Sequence, residues 1–337
     1  MGRAPGEDDA KPRVQYCTVA DARYFPGLVA LVNSLRLTGH HEPVHVLDLG
    51  LTGAQRATLA RECTFADPPD GPPRHPWLFE PYACAGVDAE VVVYVDADVI
   101  VVRPLDDLVA LAADGGVVAF PDEQEDRWFA EWDAVFELLG PVHHQPYVNA
   151  GFLAVSPVHF PHLLDEWARC CDHIVGSVNK RDDPAAARSP VGLSSQDALN
   201  AVLMTSVPVA ALAVQPDHEA VDRRDMHAVE VVDAQTLECS LAGRRPALLH
   251  YWGIHKPWEL TSRGYTANAY NQLLRRLLVA DDVAVRIDPH EVPRWLRPGP
   301  LGNATFGVLE HVVPAVRAVI QPLRRRQPRP VVATANR

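Results

Sequence analysis

Short apolar runs alternating with helically spaced segments set the layout of this chain. Val14–Ala20 reads as a first strand, and Gly27–Leu37 places Leu28, Leu31, Val32 and Leu35 at helical spacing. Val44–Leu49 reads as a second strand and Gln55–Cys63 as a second helix. This βαβα alternation predicts a parallel, doubly wound sheet. Residues 67–76 hold five prolines and read as a loop. Val91–Val95 is β-branched and aromatic throughout, the pattern of a strand covered on both faces.

Farther along, Val99–Val102 stays extended until Pro104 breaks it. Val117–Phe120, Phe152–Val155 and Ala247–Tyr251 read as strands, and His162–Val175 and Gln196–Met204 as helices. Glu123–Leu139 mixes acids with Trp128, Phe129, Trp132 and Phe136, which predicts an amphipathic helix or an aromatic lid. Asn179–Pro190 is charged and reads as a mobile loop. No internal repeat is visible, which sets solenoids and propellers aside.

At 337 residues, 47% of them hydrophobic, the chain can bury a large α/β core. The expected division is a disordered leader over 1–12, a main domain over 13–270 and a helical extension with a basic tail over 271–337. A net charge of −12 argues against a nucleic-acid partner. The six cysteines form no C-x-x-C pair, so no zinc or redox motif is indicated, and Cys17 and Cys84 read as core residues. The polar start has no apolar signal segment, and no stretch reaches the ~18 apolar residues of a spanning helix. The expected setting is a reduced, cytoplasmic one. The Ala, Arg and Pro bias fits a GC-rich, bacterial source. His311–Arg337 holds six arginines and no acid. It reads either as a solvated tail or as an amphipathic segment for peripheral contact with an anionic membrane.

Two stretches carry chemistry. Asp96 and Asp98, in Tyr94-Val95-Asp96-Ala97-Asp98, fall where an apolar strand ends. Two unpaired carboxylates buried there would cost several kcal/mol, so they face a wet cleft or hold a cation. The carboxyl ends of strands are where open α/β sheets bind ligands, and Asp-x-Asp suits a hard divalent ion that also grips a phosphate. The second stretch is His250-Tyr251-Trp252-Gly253-Ile254-His255-Lys256-Pro257-Trp258. His250 can ligate a metal, Gly253 allows close backbone approach, and Lys256 suits a phosphate. Singly they are a strand end, a turn glycine and a surface lysine; together they point to a metal-nucleotide enzyme.

At these residues the chain resembles the retaining GT-A glycosyltransferases of family 8, the glycogenin and bacterial lipopolysaccharide galactosyltransferase type. The resemblance covers roughly residues 14 to 260. It rests on Val14–Tyr24, the Asp-x-Asp strand, Asn149-Ala150-Gly151-Phe152 and the His250–Trp258 loop, in the family's order. It implies a GT-A fold, a Rossmann-like doubly wound mixed sheet flanked by helices. It further implies Mn²⁺ or Mg²⁺ on Asp96, Asp98 and His250. Ala20, Asp21, Tyr24 and Ala97 would meet the nucleoside side of a UDP-sugar donor, and Gly253 with Lys256 the diphosphate. Asp122 would contact the donor sugar, Asn149, Gln196 and Asp197 would line the reacting face, and Gln196, Asp197 and Asp122 would be the catalytic set. Read alone, Asn149 is a turn residue, and Gln196 and Asp197 begin a helix capped by Ser194 or Ser195.

Two residues depart from the pattern. Glu80 stands where the family usually has a base that touches phosphate or sugar, and Ser195 where many members carry an acid. The activity implied is transfer of a sugar from a nucleotide-diphosphate donor to a saccharide, lipid-linked or small-molecule acceptor, with retention. Retention admits front-side attack or a covalent intermediate, for which Asp197 is the nearest carboxylate. The rivals are another metal-dependent nucleotide enzyme, such as a nucleotidyltransferase or phosphohydrolase, and a nucleotide-sugar-binding protein without turnover. The first would want a Gly-rich, basic loop after the first strand, which Thr18–Gly27 lacks.

Overall fold

The structure is a computed structural model, and it describes residues 11–71, 74–174, 188–253, 255–259, 268–288, 290–297 and 299–308. In chain order its elements are β1 (Val14–Ala20), α1 (Phe25–Leu37), β2 (Val44–Asp48), α2 (Gly53–Leu59), β3 (Cys63–Ala66), β4 (Val91–Val95) and β5 (Val99–Val101). Then come α3 (Asp106–Ala113), β6 (Val117–Pro121), α4 (Trp132–Val135), β7 (Val148–Val155), α5 (Leu163–Asp172) and α6 (Ser195–Ser206). Last are β8 (Leu212–Val214), β9 (Ala220–Asp222), β10 (Val229–Asp233), β11 (Glu238–Leu241), β12 (Leu248–His250) and α7 (Ala269–Val279). The expected leader lies almost wholly outside the described residues, as do the basic tail and most of the expected 179–190 loop.

Seven strands form the main sheet in the order β3-β2-β1-β4-β7-β6-β8. It is parallel except at β7, which runs antiparallel to both β4 and β6. β4 shows why its pattern read as doubly covered. Val91, Val93 and Val95 enter the core on one face, while Val92 and Tyr94 enter the core on the other. On the first face lie α1 and α7, and Asn33 on α1 donates to the backbone oxygens of Leu277 and Val285 at 2.8 Å each. α7 starts at Ala269 and buries Leu273, Leu274, Leu277 and Leu278 in this same core, so the helix crosses the boundary expected at 270.

Several expectations are corrected. Residues 123–139 do not form one long helix: only Trp132–Val135 is helical, and Trp132 and Phe136 are wholly buried. Cys63–Ala66 is an edge strand rather than a helix end, pairing with Val44–Leu47. β7 is twice the expected length, because Asn149 and Gly151 continue it toward the cleft. All six cysteines are free and buried. No helix of the described residues is long and apolar enough to cross a membrane.

Topology gathers the chemistry at one edge. The carboxyl ends of β1, β4 and β6 and the amino end of β7 meet there, with Val95 beside Phe152 and Pro121 beside Val148. β5 continues from β4 into a small second sheet, β5-β12-β9, whose register sets His250 opposite Val99. A histidine more than 150 positions away thereby arrives next to Asp98.

Candidate active site

His250 Nε2 lies 3.3 Å from Asp96 Oδ2 and 3.3 Å from Asp98 Oδ1. One ligand atom from each of the three residues fits within a 4.8 Å span. Neither contact has hydrogen-bond geometry, and buried His250 Nε2 and Asp98 Oδ1 have no hydrogen-bond partner among the described residues. Orphaned buried donors and acceptors are costly. An imidazole nitrogen with two carboxylates is also the donor set a divalent cation takes. The residues therefore fit a metal ion.

The cluster is held from behind. Tyr94 donates to Asp96 Oδ1 at 2.7 Å, and the Asp96 amide donates to the Gly151 carbonyl at 3.0 Å. Gly151 is needed for space: a Cβ there would lie 2.4 Å from His250 Cε1 and 2.9 Å from Asp96 Oδ2. Lys256, almost fully buried, pairs with Asp98 Oδ2 and donates to the Tyr251 carbonyl at 3.0 Å. Burial raises Asp98, but Lys256 and His250 outweigh it and hold the carboxyl below its usual range. Burial alone would lower His250; Asp98 and Asp96 instead raise it to about 9.

Around this cluster opens a cleft of about 610 Å³, a size that suits a small ligand. Each residue expected at nucleotide or metal lines it: Ala20, Asp21, Tyr24, Asp96, Ala97, Asp98, Asn149, His250, Gly253 and Lys256. Asp21 also shapes the floor, accepting the amides of Arg23 and Tyr24 at 2.9 Å each to start α1. Sequence reading overlooked Gly27, where a Cβ would sit 2.4 Å from the Ala97 carbonyl. The Trp258 indole donates to the Arg23 carbonyl at 2.8 Å and packs against Tyr24.

The sugar-side residues separate. Gln196 lines the cleft, accepting the Ala150 amide and donating to Asp122 Oδ2, both at 3.2 Å. Asn149 donates to the same Asp122 oxygen at 3.2 Å. Asp122 itself lines an adjoining cavity of about 370 Å³, which shares Asn149, Gly151, His250 and Trp252 with the cleft. Asp197 reaches neither space. It is fully buried, with its oxygens taken by Arg127 at 2.7 and 2.8 Å, Tyr147 at 2.8 Å and the Leu193 amide at 2.7 Å. The structure thus corrects the place expected of Asp197, which lines neither the cleft nor the adjoining cavity. Gln196 and Asp197 do begin helix α6, with Ser194 at its N-cap position, but Ser194 makes no side-chain cap bond and holds a positive φ of 57°.

The two departing residues meet. Ser195 donates to Glu80 Oε2 at 2.8 Å at the cleft wall. Burial, and after it the nearby Asp96, push the Glu80 carboxyl well above the usual range, which disfavours its charged form.

Residues 84–262 match the sequence profile of Glycosyl transferase family 8, more than half of the chain. The chain belongs to glycosyl transferase family 8. It is a glycosyltransferase. Among solved structures, the bifunctional glycosyltransferase WbbM shares this fold at 15% identity and a TM-score of 0.51; the match covers 82% of this chain and 51% of WbbM. The galactosyltransferase LgtC, in complex with donor and acceptor sugar analogs, is 18% identical, with a TM-score of 0.48 and coverage of 80% and 98%. GlyE from Streptococcus pneumoniae TIGR4 is 15% identical, with a TM-score of 0.44 and coverage of 75% and 57%. At these identities the likenesses concern fold alone. No curated protein matches the sequence.

Proposed function

We propose that this family 8 enzyme transfers a sugar from a UDP-sugar to an acceptor hydroxyl, with a divalent metal, Mn²⁺ or Mg²⁺, and with retention. The observation that carries the reading is the convergence of Asp96, Asp98 and His250 beside Lys256 at the carboxyl edge of the sheet. Asp96, Asp98 and His250 would hold the metal, which when bound supplies Lewis-acid stabilisation to the departing diphosphate. Tyr24, Ala20 and Asp21 border the space for the nucleoside. Lys256 is the ammonium beside the metal ligands, and preorganised charge of this kind is typically worth about 10²–10³ in rate.

Asn149 and Gln196 present amides to the donor sugar, with Asp122 fixing their orientation from behind. The adjoining cavity meets the cleft at Asn149 and Gly151, which supports its use by the acceptor. An acceptor hydroxyl arriving there would attack on the leaving-group side, its proton passing to a phosphate oxygen. Asp197, with both oxygens engaged by Arg127, Tyr147 and Leu193, is a poor nucleophile. That favours the front-side route over a covalent intermediate on this carboxylate.

The test is thermal unfolding with UDP, GDP, ADP and dTDP, each with and without Mn²⁺. A nucleotide at 100 times its dissociation constant should add about 2.7 kcal/mol. The expected result is a shift with UDP that requires Mn²⁺ and disappears in Asp96→Asn. Asn at this partly exposed position still accepts from Tyr94, so the fold survives. No shift with any nucleotide would remove the donor reading.

A further inference from the structure

Among the lysines and arginines that line the cleft, Lys256 is paired with Asp98 and Arg23 with Glu259. Arg223 pairs with no carboxylate among the described residues. Its position follows from strand pairing. β9 and β12 run parallel with Asp222 beside His250, so Arg223 leaves its strand alongside Tyr251, Trp252 and Gly253. The guanidinium lies over the Trp252 ring, 4.7 Å from its centroid. Its Nη1 fills the room left by the missing side chain of Gly253, where a Cβ would come within 2.9 Å.

A guanidinium held over a ring without a carboxylate partner can still offer N–H donors, in a fork that matches two oxygens of one phosphate. The charge balance calls for such a group. Asp21, Asp96 and Asp98 already line this cleft, and the Lys256 charge is shared with Asp98. A nucleoside diphosphate adds further negative charge beside them. We infer that Arg223 is a diphosphate-binding residue of the donor site, its edge taking phosphate oxygens next to Gly253 and Lys256. The inference rests on the donor reading above. It also accounts for how the cleft can carry the carboxyl of Glu80 where a base is expected: the cation enters from β9 instead.

Calorimetric titration of the full chain with UDP and with uridine, both in Mn²⁺, tests it. Arg223→Ala should weaken UDP about 10- to 100-fold and leave uridine unchanged. Arg223→Gln, which retains the packing on Trp252, should show the same selective loss, and Arg223→Lys should recover part of it. Arg224→Ala is the control, because Arg224 also lies over Trp252, at 5.2 Å, but pairs with Glu123 and Asp222 and does not line the cleft. It should bind UDP as the unaltered protein does. UDP affinity in Arg223→Ala and Arg223→Gln unchanged from the unaltered protein, or equal loss of UDP and uridine, would overturn the inference and make Arg223 a support for the loop. An unaltered protein that binds no UDP with Mn²⁺ would instead sink the donor reading, and this inference with it.

Discussion

Asp98 and Asp197 are both buried carboxylates, yet they sit in opposite circumstances. Asp197 has both oxygens satisfied by Arg127, Tyr147 and a backbone amide. Asp98 is as thoroughly enclosed, but only one oxygen is met, by Lys256; the other faces His250 without a hydrogen bond. A buried charge with every lone pair answered is an anchor. One with a lone pair open toward a cleft, beside a second acid and an imidazole, is a site held ready for a cation. Sequence treats the two alike, each as an acid at an element boundary.

The sharpest way to break this contrast is to remove one partner of the anchored pair. Arg127→Ala leaves buried Asp197 with Tyr147 and the Leu193 amide but without its guanidinium partner, which should cost about 3–5 kcal/mol in urea unfolding. Asp96→Asn, on the open side, should cost much less stability, limited to its share in holding charged His250, while abolishing Mn²⁺-dependent nucleotide stabilisation. A mild effect of Arg127→Ala, comparable with that of Asp96→Asn, would mean that the distinction between anchor and site is wrong.

What the sequence disclosed depended on whether the signal was local. β4 was readable to the residue because its apolar run is continuous, and β1 because its β-branched and aromatic positions outweigh Gln15 and end at Asp21. The Asp-x-Asp pair and the His250 loop stood out because strand ends concentrate ligands. Arg127 and Asp197 are 70 positions apart, and Glu80 and Ser195 are 115 apart, so no periodicity announces either contact. Arg223 follows a strand of only three residues, too short to register as one. The aromatic spacing of 123–139 misled for a related reason. Trp132 and Phe136 are buried by a loop whose bonds run to distant groups, such as the Trp132 indole to the Pro190 carbonyl at 2.5 Å.

A smaller intervention works at the seam between support and site. Gly151→Ala places a methyl group against His250 and Asp96. Overpacking of this sort costs about 1–3 kcal/mol. Because the clash falls on two metal ligands, Mn²⁺ affinity measured by calorimetry should drop as well. Lost stability with unchanged Mn²⁺ affinity would show that the ligands are not where the metal binds.

Acidity offers a third probe. His250 is raised from 6.5 to about 9 by its two carboxylates. A histidine raised on folding adds stability that is complete below the unfolded value and disappears as pH climbs through the folded one. The metal-free protein should therefore lose melting temperature from pH 6.5 to about 9. His250→Gln should flatten that decline, and saturating Mn²⁺ should oppose it, since the metal takes the neutral imidazole and displaces the proton. A decline of equal slope in His250→Gln would place the titration elsewhere.

The smallest expected effect concerns Glu80, which lies between the two extremes: bonded to Ser195, yet uncompensated by any cation. Burial, then Asp96, raise its carboxyl on folding, so its contribution is greatest below 4.5, the unfolded value, and falls as pH rises toward the folded one. Glu80→Gln keeps an oxygen for Ser195 and cannot ionise. Urea unfolding of both proteins at a series of pH values, taken as the difference between them, cancels His250 and every other shared group. That difference should shift in favour of Glu80→Gln as pH rises from 4.5 to neutrality. A flat difference would mean that Glu80 ionises in the fold at its ordinary pH. The cleft would then carry another negative charge beside the diphosphate, and the demand on Arg223 and Lys256 would be correspondingly larger.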